Sequence, residues 1–459
     1  MSLPSPSPST DADPLAHRMS RFMVPLCAGL ALLVAKILFV RNFGNSTPYW
    51  DQWDAEAFLL YKPWIEGNFE LASLLEPHNE HRIFTTRLLQ LLLFELNGRV
   101  WNPWAAMYAN AVIHTLAIVG LLFLLARCLP RRARGALWLA GVLWFSLPFG
   151  WDNALVGFQA QFFLFLALSV ALLGVSASER PSGAFVGPLL ALALVLTLAS
   201  GTLAVFAAIA VALCRACWWR DPRIAPLAVV DLASVALVGL ALTPTVEAHA
   251  ELQARSFVEF STALVRALAW PLPVERVGPG ALLAVLVLQA PLALAVFTSI
   301  RAARSSLYER RLWVGCSAWF VLQASALAFA RGGGELASRY RDVLAFGVMF
   351  QFAALLYLWT GSEGRARRRV LVLAIAWCGT LSMALLVSLP RLREEVLARQ
   401  HEALQRERTV RNYLLGGDVE ALLQAPASAL PYPSAERLRT YLDDATIRSF
   451  LPAELTEAR

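Results

Sequence analysis

Long apolar runs recur from Phe22 to Leu389, and they constrain this chain more than any other feature. A bilayer's hydrocarbon core is about 30 Å thick, and a helix needs roughly 20 apolar residues to cross it. Backbone polar groups at that depth can be satisfied only within the segment, so each run is predicted to be α-helical. Eleven stretches qualify: 22–43, 105–126, 136–149, 154–176, 184–199, 202–219, 224–244, 280–300, 312–330, 343–360 and 370–389. Composition agrees, with 58% hydrophobic and 16% charged residues, where soluble domains carry about 25% charge. A soluble enzyme on a single anchor is excluded. The fold class expected is an all-α polytopic membrane protein with about eleven transmembrane helices.

Charge then orients the chain. The loops 127–135, 177–183, 214–223, 301–311 and 361–369 hold sixteen Arg against four acids, which marks them as cytoplasmic. The tail 1–21 shares that side. The run after it has no small-residue cleavage site behind it and reads as an uncleaved anchor. The first loop 44–104, the loops 245–279 and 331–342 and the tail 390–459 fall on the outer side, leaving 22–389 as the transmembrane domain. From Pro390 onward ten Arg face eleven Asp plus Glu, so the net charge of +7 belongs to the membrane part. It reflects orientation and gives no reason to expect nucleic acid as a partner. All six cysteines lie in spans or Arg-rich loops, and the Cys214-x-x-Cys217 pair has no second pair or histidine beside it, so it reads as structural.

The first outer loop is not disordered in composition. Its stretches 53–66 and 80–97 place apolar residues at helical spacing, with Ile83, Leu88, Leu91, Leu92 and Leu96 in the second. Two interfacial helices are expected there. The tail shows helical patterning around 391–415 and 434–449, and reads as a small outer-face appendage partly docked on the membrane.

Three clusters on the outer side could carry chemistry. Asp51, Asp54 and Glu56 follow the first span closely. They fit a solvated helix start, with an Asp as cap, or a general base that takes a proton from a hydroxyl nucleophile, for which Asp54 is the first choice and Asp51 the second. The stretch Glu76-Pro77-His78-Asn79-Glu80-His81-Arg82 fits substrate hydrogen bonding, a divalent metal held by His78, Glu80 and His81, or a plain surface cap. The loop 331–342 carries Arg331, Arg339 and Arg341 where orientation rules disfavour arginine. Guanidinium groups bind phosphate oxygens in pairs, although these could instead pair with acids of the first loop. Asp152 and the glutamines Gln159 and Gln161 point the same way, and Asp231 within a span reads as an interhelical hydrogen bond. Ala199-Ser200-Gly201-Thr202 splits an apolar run with a turn.

The order of these features resembles the GT-C class of integral-membrane glycosyltransferases, in the branch of the lipid A aminoarabinose transferases, protein O-mannosyltransferases and rhizobial lipopolysaccharide core glycosyltransferases. That family places an acidic motif after the first span, matched here by Asp54-Ala55-Glu56, with Gly67 thirteen residues on. His78 opens the next stretch, with Asn79-Glu80-His81 in place of the family's prolines, and Gly98 closes the amphipathic helix. The late Arg-Tyr pair is matched by Arg339-Tyr340. The resemblance implies a polyprenyl-phosphate sugar as donor, a lipid or glycan of the cell envelope as acceptor, and inverting displacement on the periplasmic side of a bacterial inner membrane. Asp54 or Asp51 would be the base, and Glu56, His78, Glu80, His81, Arg82, Arg331, Arg339, Tyr340 and Arg341 would contact substrate. The other classes the sequence admits are a lipid-linked saccharide transporter or flippase, a surface-polysaccharide polymerase or ligase, and a non-enzymatic membrane scaffold.

Overall fold

A computed structural model describes residues 14–179, 183–219, 226–244, 246–301 and 305–457. Most of the 1–21 tail and parts of three Arg-rich loops fall outside these residues. Among the described residues there are helices and no strand; the only pairing of strand type is the isolated bridge between His78 and His81.

In chain order the α-helices are α1 (Pro14–Phe43), α2 (Lys62–Glu66), α3 (Phe84–Leu96), α4 (Pro103–Ala126), α5 (Arg131–Phe145), α6 (Trp151–Leu155), α7 (Ala160–Ala177) and α8 (Gly183–Val195). They continue with α9 (Gly201–Cys217), α10 (Pro226–Leu242), α11 (Phe257–Ala269), α12 (Pro279–Arg301), α13 (Leu307–Ala330), α14 (Arg341–Gly361) and α15 (Gly364–Gly416). Four short helices close the chain: α16 (Val419–Leu423), α17 (Ala435–Asp443), α18 (Ala445–Ser449) and α19 (Ala453–Thr456). Among the described residues, seven helices are long and apolar enough to cross a membrane: α1, α4, α7, α12, α13, α14 and α15. The other four predicted spans are helical too, at 13 to 17 residues in α5, α8, α9 and α10. At 1.5 Å per residue these rise only about 20–25 Å. Start signals follow capping rules: the Asn102 carboxamide accepts from Ala105 N on α4, and Ser306 with Glu309 forms a capping box on α13. A turn at 196–200 separates α8 from α9, overlapping the predicted 199–202, and Gln323 Nε2 donates to Ser200 O there.

Side-chain contacts sort the connections into two ends of the bundle. At one, the Arg127 guanidinium lies 4.0 Å from the Tyr308 ring centre, and the Ser305 and Tyr357 hydroxyls are 3.0 Å apart. At the other, Phe84 N donates to Leu196 O, His249 meets Glu80, and Trp151 Nε1 donates to Glu395. The segment 44–102, the loops after α5, α10 and α13, and the end of the chain thus share one end.

Two cores result. The larger fills the bundle around Trp313, Trp319, Phe165 and Phe346. The smaller lies at the end carrying segment 44–102, where a π-helix Trp53–Tyr61 runs into α2. Trp53, Tyr61, Phe94 and Trp101 there pack against Leu438, Tyr441 and Phe450 of the tail. Tyr61 stacks on Phe94 at 4.2 Å between ring centres. The predicted stretches 53–66 and 80–97 are therefore helical, yet the tail buries its apolar side against them rather than leaving it for lipid. On α3, Leu88, Leu92 and Leu96 stay exposed as an apolar ridge, which suits a bilayer surface. Finally, α15 passes through the 389/390 position as one 53-residue helix, so the last span and the start of the tail are a single element.

Candidate functional site

The end of the bundle that carries the second core holds a cleft of about 490 Å3. Its walls are Tyr49-Trp50-Asp51 after α1, Trp151-Asp152 at the head of α6, the loop 335–339 with Arg341, and Glu395, Arg399 and Glu402 from the upper part of α15. Next to Trp151 the backbone makes a close approach: a Cβ on Gly150 would lie 2.0 Å from Asp342 Oδ2. The buried Asn153 side chain donates to Asp342 Oδ2 at 2.9 Å and to Arg339 O at 2.8 Å, which fixes the backbone that presents Arg339. Among the spans, Lys36 Nζ is 3.0 Å from His114 Nδ1, and both line a separate space of about 40 Å3 together with Gly150 and Asp342.

Of the residues singled out in the sequence, Asp51, Asp152, Gln159, Arg339 and Arg341 meet in this cleft. Asp51 Oδ2 is 3.3 Å from His78 Nε2, whose ring also packs edge-on against Phe158. Arg339 Nε lies 3.6 Å from Asp152 Oδ2, too long for a hydrogen bond. Arg341 makes a two-pronged pair with Glu395 at 2.6 and 2.9 Å, and Trp151 Nε1 donates to the same carboxylate. Paired arginines of this kind hold geometry more than they bind ligand.

The other candidates lie elsewhere. Asp54 faces the tail and accepts from Tyr432 Oη, Arg437 Nη2 and Tyr441 Oη, which occupy its carboxylate. Glu56 is 1% exposed in the second core, where Gln52 Nε2 and Trp101 Nε1 both donate to Oε2. Burial pushes its pKa up to about 7, against the pull of those two hydrogen bonds. A tight turn joins His78 to His81 through two backbone hydrogen bonds, with Asn79 at φ 49°, a left-handed conformation asparagine tolerates. The turn aims its side chains apart. Glu80 meets His249 and Arg331, while His81 Nδ1 accepts from Ala199 N. Burial lowers the His81 pKa to about 4, so the ring stays neutral. Arg82 donates to the Leu242 and Leu75 carbonyls, and Arg331 donates to Tyr340 Oη. These residues brace the first segment to the loops after α10 and α13. His78, Glu80 and His81 do not converge on one point, and no group of three His, Cys, Asp or Glu among the described residues could hold a metal ion.

The sequence reading passed over Tyr49, Glu395, Arg399 and Arg406. The guanidinium carbons of Arg399 and Arg406 lie 4.4 and 4.5 Å from the Tyr49 ring centre. Their seven-residue spacing on one helix face was the available signal. No protein-family model matches the chain, and no curated protein does.

Proposed function

We propose that this protein is a glycosyltransferase of the inner membrane of a bacterium, moving a sugar from a polyprenyl-phosphate donor to a cell-envelope acceptor. Eleven helices cross the membrane in this reading, the Arg-rich loops face the cytoplasm, and the cleft faces the periplasm. The observation that carries it is the meeting of Asp51 and Arg339 in one cleft at the end of an apolar bundle. A carboxylate and a guanidinium across one space are what displacement at an anomeric carbon requires. The acceptor hydroxyl forms the new C–O bond while Asp51 takes its proton. The bond from the anomeric carbon to the phosphate oxygen breaks, and the phosphate leaves with the electron pair toward Arg339.

Asp54 was the first choice as base from sequence. With its carboxylate engaged by two tyrosines and an arginine of the tail, that role passes here to Asp51, and His78 positions it. No step requires a metal.

The test is chemical. In a strain lacking the protein, mass spectrometry of lipid-linked sugars and envelope glycans should show one polyprenyl-phosphate sugar accumulating and one glycan residue missing. Unchanged pools of both would refute the reading. A transporter has one observation in its favour, the Lys36–His114 contact buried among the spans. Proteoliposomes that flip a lipid-linked saccharide without transferring its sugar would favour that alternative.

A further inference from the structure

The charged groups of the cleft are mostly matched. Arg341 is held by Glu395, Arg339 faces Asp152, and Arg406 Nη2 donates to Glu402 at 2.6 Å. Arg399 is 6% exposed, lines the cleft, and has its Nε and Nη1 atoms buried without a hydrogen-bond acceptor. Arg406 Nε and Nη1 and Arg339 Nε are unaccepted too, but each of those two arginines faces a carboxylate, and Arg399 forms no ion pair among the described residues. The ring of Tyr49 beneath it satisfies the face of the guanidinium but none of its N–H edge. A buried guanidinium with unaccepted donors is costly unless something supplies an acceptor. The cleft also carries five carboxylates against three arginines. The excess of carboxylates repels any anion, and a ligand with two negative charges is repelled about twice as strongly as a singly charged one.

We propose that Arg399, stacked on Tyr49 and backed by Arg406, is a second anion-recognising residue of the cleft beside Arg339, and takes an oxygen of a singly charged phosphoryl group. This rests on the proposed function only in treating the cleft as the seat of the donor. The upper part of α15 then supplies part of the binding site, and Tyr49 serves to hold the guanidinium plane edge-on to the ligand.

Binding to the full-length protein in detergent tests this, read as the ligand-dependent rise in unfolding temperature. The probe is decyl methyl phosphate, a singly charged phosphodiester, with decyl diphosphate, decanol and inorganic phosphate as comparisons. The phosphodiester should bind saturably, the diphosphate at least tenfold more weakly, and decanol should give no shift. Arg399→Gln should weaken phosphodiester binding at least tenfold. Arg399→Lys should recover part of it, because an ammonium keeps the charge but loses the planar fork. Arg393→Ala, exposed on the same helix, should bind as wild type. Inorganic phosphate competing as well as the lipid form would keep the anion role and assign it to the free ion. Wild-type affinity in Arg399→Lys and Arg399→Gln, no binding to the wild type, or equal shifts from decanol would overturn the proposal. If Arg399→Gln does not fold, Arg399→Lys alone decides. Failure of the functional reading would look different: phosphodiester binding that depends on Arg399 in a protein that transfers no sugar. Failure of this inference alone would be sugar transfer that is indifferent to Arg399.

Discussion

Replacing Glu56 by glutamine should change how the protein's stability depends on pH. Glu56 lies in the second core between the π-helix and the tail, 1% exposed, with Oε1 buried and unpartnered. Burial, opposed by hydrogen bonds from Gln52 and Trp101, raises its pKa from the ordinary 4.5 to about 7. Below about 4.5 the folded and unfolded chains both hold the proton. Between 4.5 and 7 only the folded chain keeps it, so stability falls as pH rises through that window. Above about 7 neither holds it, and this contribution no longer changes. A rise of that size corresponds to roughly 3 kcal/mol at 1.36 kcal/mol per unit. Glu56→Gln keeps an oxygen for the Gln52 and Trp101 donors and removes the titration. The variant should match the wild type near pH 4.5 and exceed it by up to about 3 kcal/mol at pH 8. Urea unfolding of both proteins in detergent from pH 4.5 to 8, followed by tryptophan fluorescence, measures the difference, and the comparison cancels every other titrating group. Trp53 and Trp101 flank the site and should report its opening. Parallel stability curves for the two proteins across pH 5 to 7 would refute the argument.

Asp51→Asn should lower sugar transfer by about a hundredfold or more with unchanged unfolding. Asp54→Asn should loosen the tail at a cost of about 1–2 kcal/mol while leaving turnover per folded molecule near wild type; the reverse pattern would restore Asp54 as the base. Arg339→Ala should cost about 2–4 kcal/mol of transition-state stabilisation, seen as lower kcat/KM for the lipid donor, and wild-type turnover would remove it from the phosphate. In intact cells an impermeant maleimide should label Ser428→Cys, placed in a variant without the native cysteines, and should not label a variant that keeps the exposed Cys217 alone; labelling of Cys217 alone would invert the topology. Gly150→Ala must displace Asp342, so its unfolding temperature should drop by several degrees, and an unchanged value would show that the contact yields without cost.

The bundle was legible because its signal is local. Each span announces itself within about twenty residues, and the turn between α8 and α9 and the helices within 53–66 and 80–97 follow from spacing alone. The second core was not legible, since Trp53 and Phe94 meet Leu438 and Phe450 across more than 300 residues of chain. The same distance hid the partners of Asp54, which sit at Tyr432, Arg437 and Tyr441. Among the arginines, 331 and 341 drew notice because their loop disfavours them, yet both are structurally paired. Arg399 drew none, because its tail balances in charge, and only the fold reveals that its donors lack acceptors.

The unbroken 53-residue α15 gives the molecule a lever. At 1.5 Å per residue the rod is about 80 Å long, so a tilt of about 5° swings one end past the other by roughly 7 Å. Pro390 has no N–H to offer the carbonyl one turn back, which makes the joint just below Glu395 and Arg399 the softest point along the rod. A mismatch between a span and its bilayer can be relieved by tilting, so a change of acyl-chain length is expected to move Arg399 relative to Tyr49 if the rod leans as one body. Phosphodiester binding measured in bilayers of shorter and longer acyl chains would show whether the apolar lower part of this helix passes such a lean to its charged upper part.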